Sequence, residues 1–207
     1  MSYATTPLKD KISRFADPAK TDEQVRADLF PGKKAGKYPP GDSRGWKLPA
    51  ARAALQAADW TADIKQISYR PLDTRSVLYR PDMVDWGRFD FMHHMLEGEN
   101  LGLITPKIKK DQVGGIVTNT LCGHKTYDAY DSNSLFPLYL YPDEQDLDQT
   151  RRVNFERKLY ARLQELAARR EQVNGITIVT PPDEIAAFDY IYGVLHCPAY
   201  RDTYAEL

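Results

Sequence analysis

Two cysteines, Cys122 and Cys197, are too few for a disulfide framework, and their scarcity fits a reducing compartment. No run approaches eighteen apolar residues, and the opening "MSYATTPLKDKISRF" lacks the apolar stretch of a signal peptide. A cytoplasmic chain without membrane contact is therefore expected. An excess of charge is missing too: 28 Lys+Arg face 29 Asp+Glu, a net of -1, which excludes a bulk polycation of the kind that coats nucleic acid. What is present, 42% hydrophobic residues in 207, suffices for one core, or one core and a helical appendage.

Although the total balances, the charge segregates. Residues 101–125 carry Lys107, Lys109, Lys110 and Lys125 against Asp111, whereas residues 143–148 hold four acids and no base. Any contact with a polyanion is expected on the first of these segments.

The periodicity predicts an α+β fold: a mixed central β-sheet region flanked by N-terminal and C-terminal helices. "TDEQVRADLF" has a helix-capping signature at Thr21 or Asp22, and "PGKKAGKYPPGDSRG" is a loop. "WKLPAARAALQAADW" is a helix with Leu48, Arg52, Leu55 and Asp59 along one side; its buried face is expected to be the alanine-rich one through Ala51, Ala54 and Ala58. "IKQISY" and "RSVLYR" read as strands around the tight connection "PLDT". "DMVDWGRFDFMHHMLEGEN" reads as a helix stopped at Gly98. "NLGLIT", "GGIVTN" and "LFPLYLY" are short strands, and "ITIV" a last one. A strong amphipathic helix is predicted from an N-cap at Asn154 through Leu159, Leu163, Leu166 and Arg169, ending at Asn174-Gly175. Two more helices follow Pro182, broken at Pro198. The expected division is a helical segment and linker over 1–62 and an α+β domain over 63–207, or one continuous domain.

Catalytic signatures are scarce. There is no glycine-rich phosphate loop, no Gly-x-Ser-x-Gly elbow, no His-Glu-x-x-His pair, and no Asn-Pro-Pro-Tyr or Asp-Pro-Pro-Tyr to hold a target nitrogen for methylation. Cys122, His124, His196 and Cys197 could in principle offer two thiols and two imidazoles to zinc, but their spacing is poor. His93 and His94 point about a hundred degrees apart on a helix, so one packed and one exposed ring are expected. Asp82 has no nearby Glu-x-Lys partner downstream for magnesium-dependent phosphate chemistry, so Asp73, Asp82 and Asp85 read as turn formers or partners of Arg70, Arg75 and Arg88. No metal site is assigned. Composition leaves recognition as the remaining candidate: arginine and lysine interleaved with Tyr69, Tyr79, Trp86 and Tyr127.

The heptapeptide "YRPLDTR", Tyr69 to Arg75, resembles the Tyr-Arg-Pro-Phe-Asp-x-Arg signature of the C-terminal specificity region of Type ISP restriction-modification enzymes and related adenine-specific DNA methyltransferases. "KYPPGDSRGWKLPAAR", "FDFMHHML", "NLGLI", "FPLYLYP" and "YIYGVLHCPAYRDTYAEL" agree in the expected order, from about residue 30 to 207. Leu72 stands where the family has Phe, and Cys197 where serine is usual. The resemblance implies a target recognition domain, a piece of a longer enzyme, that binds double-stranded DNA and docks on a methyltransferase domain. It implies no catalysis and no cofactor of its own; S-adenosylmethionine would belong to the parent adenine methyltransferase.

On that resemblance, segments 106–115 and 121–134 are the expected reading loops. Lys107, Lys109, Lys110 and Lys125 are expected on phosphates, and Asn119, His124, Tyr127 and Asn133 are expected to include base readers. The signature residues Tyr69, Arg70, Asp73, Arg75, Tyr200 and Arg201 are expected to serve the framework, as is Tyr190. Two other readings stay open. One is an interaction module using the helices of 154–170 and 182–207; the other is a metal-dependent nuclease.

Overall fold

The computed structural model describes residues 7–29, 48–81, 83–84, 86–107, 114–128 and 132–204. The fold is α+β, and its contacts divide the chain into two units, Met1–Lys65 with Ser76–Gly87, and Gln66–Arg75 with Arg88–Leu207.

In the first unit, which carries α1 (Leu8–Ala16), α2 (Asp22–Leu29) and α3 (Leu48–Ala57), α1 and α3 share a small core of Ile12, Ala16 and Leu55, lined by Phe15, Trp60, Ile64, Leu78 and Met83. Thr21 is the cap of α2. Its hydroxyl accepts from the Gln24 N–H at 3.3 Å, while Gln24 Oε1 accepts from the Thr21 N–H at 2.8 Å, a reciprocal capping box. The alanine face expected on α3 is buried only at Ala51, with Ala54 half-buried. Ala51, Arg52 and Leu55 are buried, and Ala58 is exposed. Arg52 lies inside because its guanidinium has partners there. It donates to the carbonyls of Phe15 at 2.9 Å, Asp17 at 2.8 Å and Lys20 at 2.7 Å, and to the Asp22 carboxylate. The three carbonyls lie at the end of α1 and in its turn into α2, and that of Asp17 also accepts from the Lys20 N–H at 3.2 Å.

Strands β1 (Ile64–Arg70) and β2 (Asp73–Leu78) are joined by Pro71-Leu72, with Leu72 at φ 61°. The Ile64 and Leu78 ends belong to the first unit and the tip to the second.

The long helix expected from Asp82 is mostly absent. Trp86 and Arg88 adopt φ of 58° and 50°, which no helix tolerates, so α4 is confined to Phe89–Met92 and continues as a single 3-10 turn, His93–Met95. Asp82 and Asp85 lie outside the described residues, as does the 31–45 loop.

The second unit is built on β3 (Gly102–Pro106), antiparallel to β4 (Ile116–Thr118) on one side and to β6 (Asn133–Pro137) on the other. β5 (Leu121–Cys122) leaves this sheet and pairs in parallel with β1, giving the order β2-β1-β5. β7 (Tyr139–Leu140) pairs with β8 (Arg152–Val153). Leu103, Leu138 and Tyr139 form the core, covered by α6 (Glu184–His196), whose Phe188, Ile191 and Leu195 recur at helical spacing. Asn100 pins this region: its Nδ2 donates to the carbonyls of His94 and Tyr139, both at 2.8 Å, and its Oδ1 accepts from the N–H groups of Tyr139 and Leu101.

The amphipathic helix is shorter than predicted. α5 spans Arg157–Leu166 and is capped by Glu156, whose carboxylate accepts from the Leu159 N–H at 2.7 Å; Asn154 instead donates to the Pro137 carbonyl. The chain then forms a hairpin of β9 (Arg169–Val173) and β10 (Ile176–Thr180) around Asn174-Gly175. Both turn residues are left-handed, φ 51° and 79°, as a two-residue type I′ connection requires. α7 (Pro198–Thr203) follows the break at Pro198.

Candidate functional site

The far half of β1 runs beside the segment that follows β5. Ile67 and Ser68 pair with Leu121 and Cys122. The Ser68 carbonyl then accepts from the Gly123 N–H at 3.3 Å and the Thr126 hydroxyl at 2.6 Å. Arg70, one residue past the last tyrosine of the strand, donates to the Lys125 carbonyl. Sequence positions more than fifty residues apart thus meet: the heptapeptide signature and the expected reading loop form one surface.

Asn133 holds that loop from beneath. Only 5% exposed, it accepts at Oδ1 from the N–H groups of Thr126 at 2.6 Å and Tyr127 at 3.3 Å, and donates from Nδ2 to the Gly123 carbonyl at 3.2 Å. This corrects its expected role. Nδ2 also donates to the Cys122 sulfur at 3.8 Å; an amide whose donors and acceptor are committed inside the protein has none to offer a base edge, and Asn133 is a staple of the loop. His124 and Lys125 are exposed at the outer turn and Tyr127 is half-buried. Lys107 joins them: it follows Pro106, which pairs with Asn133, and its N–H donates to the Ser132 carbonyl at 3.0 Å. Lys109 and Lys110 lie outside the described residues.

Asn119 lies between Thr118 and Thr120, whose hydroxyls meet that of Ser68 at 2.7 and 3.2 Å, but away from Lys107. Thr118 pairs with Gly102, at the opposite end of β3 from Lys107, so the β4–β5 turn is set off by roughly 13 Å along the strand. There Asn119 borders a cleft of about 560 Å³ with Glu99, Tyr139, Arg151 and Ile185. The Arg151 guanidinium lies 3.9 Å from the centre of the Tyr139 ring, and the Tyr139 hydroxyl donates to Glu184 at 3.0 Å.

At the hairpin tip the Arg75 guanidinium sits 3.9 Å from the Tyr69 ring centre and that of Arg70 4.9 Å. Arg75 also clasps Asp73 through Nε and Nη2, at 3.0 and 2.7 Å to Oδ2; these hydrogen bonds hold the Asp73 carboxyl below its usual range. Asp73 is thus an arginine partner. The framework role expected for the signature tyrosines meets a difficulty: Tyr69, Tyr190 and Tyr200 are 42%, 60% and 40% exposed, so none is a core residue. Tyr200 stacks on Tyr204 at 4.7 Å along α7, and Arg201 beside it is half-buried.

The zinc candidates do not converge. Cys122 is buried against Asn133, and burial pushes its thiol up to about 11; the His196 ring meets the Gly115 carbonyl at 2.9 Å. Among the described residues no group of three or more His, Cys, Asp or Glu could hold a metal ion. His93 and His94 are both half-buried, rings 3.9 Å apart, rather than one in and one out; burial and then the neighbouring His93 keep the His94 pKa below its usual value, and its Nδ1 accepts from the Tyr141 N–H. No helix of the described residues is long and apolar enough to cross a membrane.

A second basic stretch lies outside the segments expected to meet a polyanion. Residues 151–170 carry seven Arg or Lys and two Glu, and all seven cations are exposed. A windowed charge count along the chain is the signal that finds it.

A family described as the Type ISP C-terminal specificity domain matches residues 1–207. Two solved structures are similar in fold. One is a cryo-EM structure of a DrdV–DNA complex, with TM-score 0.55 and 16% identity, covering 96% of this chain and 18% of that one. The other is the ATP-dependent Type ISP restriction-modification enzyme LlaBIII bound to DNA, with TM-score 0.51 and 15% identity, covering 95% and 12%. This chain therefore spans less than a fifth of either protein. No curated protein matches it.

Proposed function

The chain belongs to the Type ISP C-terminal specificity domain family, and from that premise we propose that it recognises a DNA target sequence for a restriction-modification adenine methyltransferase, without a catalytic step of its own. The observation that carries this reading is the loop of residues 122–127. It is held by Ser68, Thr126 and Asn133 from inside and presents His124 and Lys125 outward, beside Arg70 and Lys107. A firmly held loop with cations and a few planar side chains at its rim is what groove reading needs: the cations position the backbone of the duplex, and the planar groups meet base edges. Lys107 and Lys125, with Lys109 and Lys110, take phosphates; His124 and Tyr127 are the readers, and Asn119, at the other end of β3, makes a separate contact.

The methyltransferase domain is the second partner. Leu159 and Leu166, one face of α5, are 72% and 68% exposed, and Ile176 and Ile178, one face of β10, are 68% and 46%. Apolar side chains that share an exposed helix face or strand face favour docking on another protein surface. They support the interaction reading as a companion to recognition rather than a rival. The nuclease reading has less support, because Asp73 is bound by Arg75.

The test is a transplant. Residues 1–207 replace the corresponding segment of a related full-length enzyme, and the methylated sites are sequenced. The expected outcome is a changed target sequence; an active chimaera that methylates its original sequence would overturn the proposal.

A further inference from the structure

Leu72 combines two unfavourable features. Its side chain is fully exposed, at 108% of the reference area, and its backbone sits at φ 61°, a left-handed conformation that a branched side chain resists and that glycine or asparagine would occupy without strain. Nothing in the described residues compensates for either. An exposed apolar side chain is ordinary by itself, but one held on a strained turn points to contact with something outside the chain.

The tip is also stiff. β1 is paired on both sides, by β2 and β5, the Ser68 carbonyl is held by Gly123 and Thr126, and Arg70 is anchored to the Lys125 carbonyl. Tyr69, Arg75 and Asp73 form a further stack and clasp at its base. Contact through such a tip loses little conformational entropy. Its surroundings identify the partner. Arg70 and Arg75 bracket Pro71-Leu72 in sequence, Arg70 reaches the Lys125 carbonyl, and the one acid among them, Asp73, is bound to Arg75. An apolar pocket on a protein would not require cations on both sides of the plug, whereas duplex DNA does. Leu and Pro are among the side chains that wedge between base steps while neighbouring arginines hold the backbone.

We infer that the Pro71-Leu72 tip is a wedge that inserts Leu72 into the base stack of the duplex and opens one base step. This rests on the proposed DNA-recognition function and adds to it a role for the signature hairpin: the loop of 122–127 reads, and the tip deforms.

The purified full chain is first used to select its bound sequence from a randomised duplex pool at low salt. 2-Aminopurine, which brightens on unstacking, is then placed at each position of that duplex. The expected result is a severalfold fluorescence rise at one step on binding, lost in Leu72→Ala together with roughly tenfold in affinity and restored in Leu72→Phe. Circular dichroism and the thermal midpoint should be unchanged, as Leu72 touches no core. If Leu72→Ala binds as tightly and brightens the same base, the wedge is wrong while DNA recognition stands. If the wild-type chain binds no duplex at low salt, recognition itself fails and the wedge with it. If Leu72→Ala binds DNA normally but no longer associates with the methyltransferase portion of a related enzyme, the tip is a protein contact and the inference is overturned.

Discussion

A single buried guanidinium can close a small helical unit. Arg52 is 6% exposed and bonds three carbonyls and a carboxylate drawn from α1, its following turn and α2. Removing it takes a donor from each of those half-buried carbonyls, although Asp17 keeps the Lys20 N–H, and leaves Asp22 without its counter-charge, a loss of about 2 kcal/mol. Arg52→Met is therefore expected to lower the urea midpoint clearly. Arg52→Lys should recover only part of the loss, because one ammonium cannot span acceptors that the planar fork reaches together. An unchanged midpoint in Arg52→Met would show that the network contributes nothing net. At this scale the sequence is least legible. The helical repeat puts Arg52 on a mixed face, but whether a cation lies in water or among carbonyls depends on what α1 and α2 offer it. Asn133 poses the same problem: its amide could read adenine or staple a loop with the same donors and acceptor, and only burial decides.

Elements announced by turn chemistry are more legible than those announced by amphipathicity. The β1–β2 hairpin, β3, β4, β6 and β10 can be read because β-branched and aromatic runs end at Pro, Gly or Asn. β9 escapes such a reading. "ARREQV" continues the polar side of α5 without a break, so the helical pattern extends across it, although Asn174-Gly175 between two short runs is itself the strongest local hairpin signal. β5 and β8 are two-residue pairings set by distant partners, below the length any pattern resolves. The hairpin of β9 and β10 is exposed on both faces, so its turn carries much of its stability. Gly175→Ala, at φ 79°, is expected to cost about 1 kcal/mol locally. Hydrogen exchange checks this: the amides of 169–180 should lose protection while those of β3 keep theirs. Unchanged protection in the hairpin would mean that its strands hold without the turn.

Over the whole molecule a charge of -1 hides local positive edges, so the salt dependence of DNA binding, not the net charge, reports the contact. Each phosphate neutralised contributes roughly 0.9 to the slope of log affinity against log salt. Lys107→Ala with Lys125→Ala is expected to flatten that slope by about two and to weaken all sequences alike. A parallel drop in affinity with no change of slope, measured by anisotropy across a salt series, would remove these lysines from the backbone contact. The interleaving of the two units has a separate consequence in time. Gln66–Arg75 interrupts the first unit, whose last residues are Ser76–Gly87. On the ribosome every residue of the first unit has therefore been made when Gly87 emerges. The outer half of β1 must wait for Leu121 and Cys122, on the order of seconds at about 5–20 residues per second. For that interval the nascent chain carries an unsatisfied strand edge, which makes the β1 backbone a site for chaperone capture during translation.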